Sequence, residues 1–313
     1  MSELVDNALA LDKWSLGRLI SQFEDTRASA AAMRSDILTE LAGRQDSRRA
    51  TFVGITGPPG VGKSSIIGEL ATRLIATDET TAVAVLAVDP TSHVSGGALL
   101  GDRTRVNFPA DELRLFFRSQ ASERDLGGVG RATFAVCRLM RHLFDYVFIE
   151  TVGIGQSEIE IQQVADWTYL MVQPLTGDAI QFMKAGVMEI PSAFILNKCD
   201  EKTVAQRSYA ALSSSLRAFR ADGTVPTIHR TSAHTGEGVA EVVAEIAAPD
   251  FAPNRPTLRD KELYFLEKWI RDEYGRAGLA FYKEQGADAF LSGDLPTAYE
   301  QAQTRFANTF GIQ

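Results

Sequence analysis

The sequence predicts an α/β fold, a mainly parallel sheet with helices on its faces, set between further helices at each end of the chain. Three observations lead there. Strand-like and helix-like apolar runs alternate from Thr51 to Ala248, the order that a parallel sheet with right-handed crossovers requires. A glycine-rich loop joins the first of those strands to the first of those helices. The 313 residues, 45% of them hydrophobic, are enough for one α/β core of ordinary size with appendages.

The elements follow from changes of period. Leu16, Leu19, Ile20 and Phe23, then Met33, Ile37 and Leu41, recur near every 3.6 residues and predict two helices within 11–41. A polar linker spans 44–49. Strands are predicted at 52–55, 82–88, 145–150, 192–196 and 227–230, and helices at 65–75 and 131–143. Pro249, Pro253 and Pro256 then interrupt the chain. Beyond them, Leu263, Leu266, Trp269, Ile270 and Tyr274 lie along one side of a long helix expected over 258–283, and another helix is expected over 294–310. The division expected is a helical segment (1–48), a nucleotide-binding domain (49–250) and a C-terminal helical arm (256–313). The arm's apolar and aromatic positions require cover, from its own chain or from a second copy.

The loop reads Gly57-Pro58-Pro59-Gly60-Val61-Gly62-Lys63-Ser64, with Ser65 opening the helix. Glycines let successive N–H groups turn inward on phosphates without a Cβ clash, and the helix start adds partial positive charge. Lys63 is placed to reach β- and γ-phosphates, and the Ser64 hydroxyl to bind Mg²⁺. The domain predicted is therefore a P-loop NTPase G domain.

The base is read further on. Asn197-Lys198-Cys199-Asp200 follows an apolar strand, where open α/β sheets bind ligands. A carboxylate at Asp200 accepts from guanine N1–H and the 2-amino group, donors that adenine does not present there, while the Lys198 stem covers the base. Thr231-Ser232-Ala233 supplies a backbone contact to guanine O6. Loop, tetrad and Ser232-Ala233 in this order point to GTP and GDP.

Between them lie residues suited to sensing a γ-phosphate. The strand ending at Glu150 continues into Thr151-Val152-Gly153, and Gln156 stands nearby. Glu150 can hold Mg²⁺ directly or through water, and the Gly153 N–H can meet the γ-phosphate. Upstream, a strand ends in Asp89, and Asp102 follows Gly101. Two acids on one segment suggest a metal-linked switch, although Asp102 also suits an Asx-turn.

At Leu86 to Ser92, in the GGALLGDRTR segment from Gly96, and at Glu150 to Glu158, the chain resembles the MeaB/ArgK-type G-protein chaperones of adenosylcobalamin-dependent acyl-CoA mutases. The resemblance is dense from Thr51 to Val239 and general in the helical ends. It implies that Ser64, Asp89, Asp102 and Glu150 surround Mg²⁺, that two switches form near Asp89 and Glu150, and that a third covers 173–186. In that third segment Asp178, Gln181 and Lys184 match the family pattern, whereas Ala179, Phe182 and Ala185 depart from it. The departures leave the client open between methylmalonyl-CoA mutase and a relative acting on isobutyryl- or 2-hydroxyisobutyryl-CoA. The resemblance further implies homodimerisation through the C-terminal arm, slow intrinsic hydrolysis stimulated by the mutase through Asp178, Gln181 or Lys184, and work alongside an adenosyltransferase.

Composition narrows the partners. Asp and Glu number 40 against 32 Lys and Arg, a net charge of −8, with no basic or aromatic-interleaved patch, so nucleic acid and anionic membrane are not expected. No apolar stretch reaches the roughly 18 residues of a membrane span, and the first residues, with Glu3 and Asp6, do not read as a secretion signal. A cytoplasmic location is expected. Cys137 and Cys199 do not form a disulfide framework, and Cys137 reads as a small core residue. The histidines His93, His142, His229 and His234 do not cluster. This counts against a nickel-insertion GTPase, and no cobalamin-binding sequence is seen. A P-loop kinase or ATPase of the ArgK type would use the same phosphate loop but would not need Asn197 to Asp200.

Overall fold

The structure is a computed structural model of the chain, and it describes residues 2–25, 27–89, 106, 108–109, 111–121, 129–151, 160–174, 191–219, 225–253, 255–291 and 296–311. They fall into two compact units. One is built on a sheet and comprises Ala50–Gly130 and Phe144–Arg255; the other is helical and gathers Met1–Arg49, Arg131–Leu143 and Pro256–Gln313.

The strands of the sheet unit are β1 (Thr51–Thr56), β2 (Val83–Asp89), β3 (Leu115–Ala121), β4 (Tyr146–Thr151), β5 (Trp167–Val172), β6 (Ala193–Leu196) and β7 (Ile228–Arg230). Their order is β3-β2-β4-β1-β5-β6-β7, and every neighbouring pair is parallel. After β1 the chain lays β2, β3 and β4 on one side of it and then β5, β6 and β7 on the other. That reversal makes the carboxyl end of β1 a topological switch point, where such sheets open a crevice for ligand.

In this unit helix α4 (Lys63–Ile75) and a later helix, Val239–Ile246, cover one face. Val53, Ile55, Val85, Phe148, Met171 and Ile195 pack there with Ile66, Leu70 and Val242. On the other face Leu170, Val172, Phe194 and Leu196 pack with Leu212 and Leu216 of a helix over Lys202–Phe219. Helix α4 begins without a capping side chain, a loss of about 1 kcal/mol. Full burial of Ile66, Ile67, Leu70 and Leu74 contributes roughly 1.5–3 kcal/mol each, so packing holds the helix while its first N–H groups stay available. Two aspartates that precede strands are structural: Asp145 accepts from Ala82 N at 2.8 Å and Asp166 from Phe52 N at 2.9 Å.

The helical unit holds three α-helices in its N-terminal part, α1 (Ser2–Leu9), α2 (Lys13–Glu24) and α3 (Ala31–Ala42), where periodicity predicts two. Helix α1 buries only Val5 and Ala8, too short a pattern to register. Helix α5 (Arg131–Met140) belongs to this unit although it lies between β3 and β4 in sequence. Numbering the two sheet-unit helices Lys202–Phe219 and Val239–Ile246 as α6 and α7 leaves α8 (Leu258–Gln285) and α9 (Ala298–Phe310) at the end. Thr257 and Asp260 form a capping box at the start of α8, and Gly275 interrupts it with φ 63° and ψ −153°. The long helix expected over 258–283 is present over Leu258–Gln285, with a break at Gly275. The helix expected from residue 294 starts at Ala298, and residues 292–295 lie outside the described set.

Within this unit Phe306 of α9 sits among the rings of Trp269, Phe281 and Phe290 at 6.0, 6.0 and 5.3 Å. Phe134 of α5 stacks on Phe265 of α8 at 4.2 Å. Leu266 and Ile270 are fully buried. The apolar side of α8 is therefore covered to a large extent within its own chain.

Candidate functional site

The phosphate loop leaves β1 at Thr56 and enters α4 at Lys63. Two of its glycines are required by geometry. At Gly57, with φ +146°, a Cβ would stand 2.4 Å from the Met171 carbonyl oxygen; at Gly62, with φ +97°, it would stand 2.6 Å from Asn197 Nδ2. Lys63 Nζ donates to the Gly57 and Pro58 carbonyls at 2.8 and 3.1 Å, so its amine arches over the loop.

Beneath the loop, Ser64 Oγ donates to both carboxylate oxygens of Glu150, at 2.9 and 3.2 Å. Glu150 is on β4, which pairs directly with β1, and the contact reaches it from the α4 side. Asp89 ends β2 and accepts from Ser119 Oγ of β3 at 2.7 Å. Of these predicted metal residues, Asp89 and Glu150 lie at the carboxyl ends of the paired strands β2 and β4 and Ser64 in the first turn of α4, and all three are buried. Oxygen donors of this kind suit a hard divalent cation such as Mg²⁺. Asp102, Gly153, Gln156, Asp178, Gln181 and Lys184 lie outside the described residues.

Asn197 connects the parts. Its Nδ2 donates to the Val61 carbonyl at 2.9 Å, and its Oδ1 accepts from Thr231 Oγ1 at 3.1 Å and Ala233 N at 3.2 Å. One fully enclosed amide thus fixes the phosphate loop against the loop after β7. Lys198 has a left-handed backbone, φ 62°, and donates from Nζ to the Gly60 carbonyl at 2.7 Å. Asp200 accepts from Ser232 Oγ, which in turn accepts from Thr235 N at 3.1 Å. Around these groups is a cavity of about 330 Å³ lined by Gly62, Ser65, Asn197, Lys198, Asp200, Ser232, Ala233 and His234. The few polar groups in its lining, Asn197, Asp200 and Ser232, are what a purine edge needs. His234 is an addition to the predicted set; it directly follows Ala233, and nothing in a single histidine marks it as part of a pocket.

Cys199 points away from that cavity. Its Sγ donates to the Leu196 carbonyl at 3.1 Å, and burial raises its thiol pKa. A wider depression of about 800 Å³ beside it, lined by Lys202, Arg207 and Glu241 among others, includes no phosphate-loop residue. The smaller cavity, which takes in Gly62 of the phosphate loop together with Asn197, Lys198 and Asp200, is therefore the candidate nucleotide pocket. Ser119 and the hydroxyl pair Thr56–Thr151, hydrogen-bonded at 3.1 Å, are further polar residues at this edge that sequence reasoning does not single out. They become visible only through strand register.

A phosphate loop at the switch point, acids on the adjoining strands and a tetrad tied to the loop after β7 together define a P-loop GTPase. Comparison with known proteins places it more closely. The family described as methylmalonyl Co-A mutase-associated GTPase MeaB matches residues 16–254. A Pyrococcus horikoshii protein named as a GTPase is 37% identical over 251 residues, covering 79% of this chain and 76% of its own. The mouse mitochondrial methylmalonic aciduria type A homolog is 37% identical over 205 residues, 64% of this chain and 49% of the mouse protein. The crystal structure of an LAO/AO transport system kinase aligns over 99% of this chain and 97% of its own, with a TM-score of 0.58 at 19% identity, a likeness of fold. The chain belongs to the MeaB family.

Proposed function

We propose that this chain is a Mg²⁺-dependent GTPase that acts as a chaperone for an adenosylcobalamin-dependent acyl-CoA mutase, gating cofactor loading and protecting or reactivating the mutase. The observation that carries the nucleotide part is Asn197, whose amide joins the phosphate loop to the Ser232-Ala233 loop beside a cavity of about 330 Å³. Membership of the MeaB family, with a mouse relative named for methylmalonic aciduria, supports the mutase part.

In this reading Asp200 and the Ala233 N–H select guanine, and Lys198 covers the base. Lys63 exchanges its loop carbonyls for phosphate oxygens and stabilises charge moving toward the leaving group. Ser64, Asp89 and Glu150 would hold Mg²⁺, with Asp102 as a fourth candidate; when bound, the ion neutralises phosphate charge. Gly153 is proposed for the γ-phosphate, and Asp178, Gln181 and Lys184 for the segment through which the mutase stimulates hydrolysis. An adenosyltransferase is proposed as the source of the cofactor.

The homodimer is proposed on family resemblance, since Phe265, Leu266, Ile270 and Phe306 are buried within the chain itself. Among the described residues no helix is long and apolar enough to cross a membrane.

The test is GTP hydrolysis by the purified chain with methylmalonyl-, isobutyryl- and 2-hydroxyisobutyryl-CoA mutase added in turn, alongside size exclusion. Stimulation and a complex with one of them are expected. No stimulation, no complex and no change in cofactor loading with any mutase would leave a GTPase without the chaperone role. Phosphorylation of a metabolite or protein would favour the P-loop kinase reading instead.

A further inference from the structure

The end of β4 is held on both faces of the sheet, at Glu150 on one and at Thr151 on the other. On the α4 face, Ser64 Oγ meets the carboxylate. Alternation along β4 sends the next side chain, Thr151, to the opposite face. There Thr151 Oγ1 donates to Thr56 Oγ1 at 3.1 Å. Thr56 is the last residue of β1 and directly precedes Gly57, the first residue of the phosphate loop. Both threonines are buried, at 0% and 1% exposure.

Two hydroxyls excluded from water at neighbouring strand ends are a device for fixing those ends. The β1–β4 ladder pairs Thr51 with Tyr146 through to Ile55 with Glu150, so the hydroxyl pair stands one residue beyond the last paired positions. It continues the strand pairing at the point where the backbone of β1 must turn into the phosphate loop. Valine at either position keeps the shape but leaves the other hydroxyl without this partner.

We propose that Thr56 and Thr151 are positioning residues for the metal site: their hydrogen bond sets the height of the Glu150 carboxylate relative to Ser64 at the start of α4. The inference rests on Glu150 being a metal carboxylate. A carboxylate that slides by a fraction of an ångström keeps its charge and loses its registration with Ser64. The metal is then held less tightly, while the base-side contacts of Asn197 with Thr231 and Ala233 and of Asp200 with Ser232, which follow β6 and β7, are kept.

The experiment uses the full-length chain loaded with GDP. Mn²⁺ affinity is read by electron paramagnetic resonance, fluorescent GDP-analogue affinity is measured in EDTA, and the thermal midpoint is recorded. Thr151→Val and Thr56→Val should each loosen Mn²⁺ about tenfold, and the double variant no further, because both remove one bond. Metal-free GDP-analogue affinity should stay within about twofold, and Thr151→Ser, which retains the hydroxyl, should restore Mn²⁺ affinity. Glu150→Gln is the reference. If it loosens Mn²⁺ while the valine variants do not, or if the two valine losses add, the inference is overturned and the metal assignment stands. If Glu150→Gln leaves Mn²⁺ affinity unchanged, the metal assignment fails and the inference with it. Should Thr151→Val not fold, Thr56→Val reads the same bond from the other strand.

Discussion

In the sheet unit, buried polar side chains meet backbone groups and one another along one edge of the sheet, whereas in the helical unit they meet as charges between packed helices. Asn197, Ser64 with Glu150, and Ser119 with Asp89 close short contacts among neighbouring strand ends. Arg138 of α5 is buried with two carboxylates, Glu300 of α9 at 2.5 Å and Glu262 of α8 at 3.6 Å. Its Nη2 also donates to the Pro296 carbonyl, and its guanidinium lies over the Tyr299 ring at 5.3 Å. Among the described residues, Glu262 Oε1 and Glu300 Oε2 make no hydrogen bond. The first arrangement gathers polar groups at the carboxyl ends of the strands, where the candidate site lies. The second holds three distant segments of sequence together, at the expense of dehydrating charge.

If that contrast is right, the largest loss of stability comes from the helical unit. Arg138→Met keeps much of the volume but strands Glu262 and Glu300 in an apolar setting, a cost of about 3–5 kcal/mol. Urea unfolding should show it, with α8 and α9 exchanging amide hydrogens faster. The triple variant Arg138→Met, Glu262→Gln, Glu300→Gln should recover much of the loss. A single variant as stable as wild type would mean that the cluster is not a buried ion network.

The sheet unit should respond in function more than in stability. Lys63→Ala removes the amine that arches over the loop and should cut GTP turnover about 10²- to 10³-fold, equivalent to about 3–4 kcal/mol of transition-state stabilisation. Its thermal midpoint should move little. Asp200→Asn should weaken GTP about 10²-fold and shift preference toward xanthine nucleotides, because one of the carboxylate's two acceptors becomes an amide donor that meets a guanine donor. Calorimetry giving equal ATP and GTP affinity for the unmodified chain would remove the guanine reading altogether.

The sheet unit was also the more legible in sequence, for the same physical reason. Its site is built from contiguous stretches, the phosphate loop and the tetrad, whose backbone requirements leave a local mark at Gly57 and Gly62. The strand ends at Asp89 and Glu150 can be read as well, since each closes an apolar run. Strands β3 and β5, by contrast, are not predicted, and the part that Asp145 and Asp166 play as strand clasps emerges only from the fold. What could not be read depends on register or on distance along the chain. Ser119 meets Asp89 only because β3 pairs with β2. Arg138 and Glu300 lie 162 residues apart, and a lone arginine in an amphipathic helix looks like a surface charge until α8 and α9 close over it. The break at Gly275 likewise looks like an ordinary helix glycine.

The smallest effect expected is a slope. Burial, with the Glu300 carboxylate adding to it, pushes the Glu262 pKa up to about 7, against the partial relief given by Arg138 and by Arg259 and Arg141 further off. An acid whose pKa is raised on folding contributes stability that is complete below its unfolded value, near 4.5, and is lost as pH rises through about 7. His142 in the same unit works in the other direction: burial, with Arg141 and Arg138 adding to it, lowers its pKa to about 4, so its contribution is lost as pH falls below the ordinary histidine value. The two slopes overlap between about pH 4.5 and 6.5, and the wild-type profile alone does not separate them. The difference between wild type and Glu262→Gln does. Relative to wild type, the variant should gain on the order of 2 kcal/mol in the exchange stability of α8 and α9 between pH 5 and pH 8. A difference independent of pH would mean that Glu262 stays ionised throughout and that Arg138 neutralises both carboxylates at once.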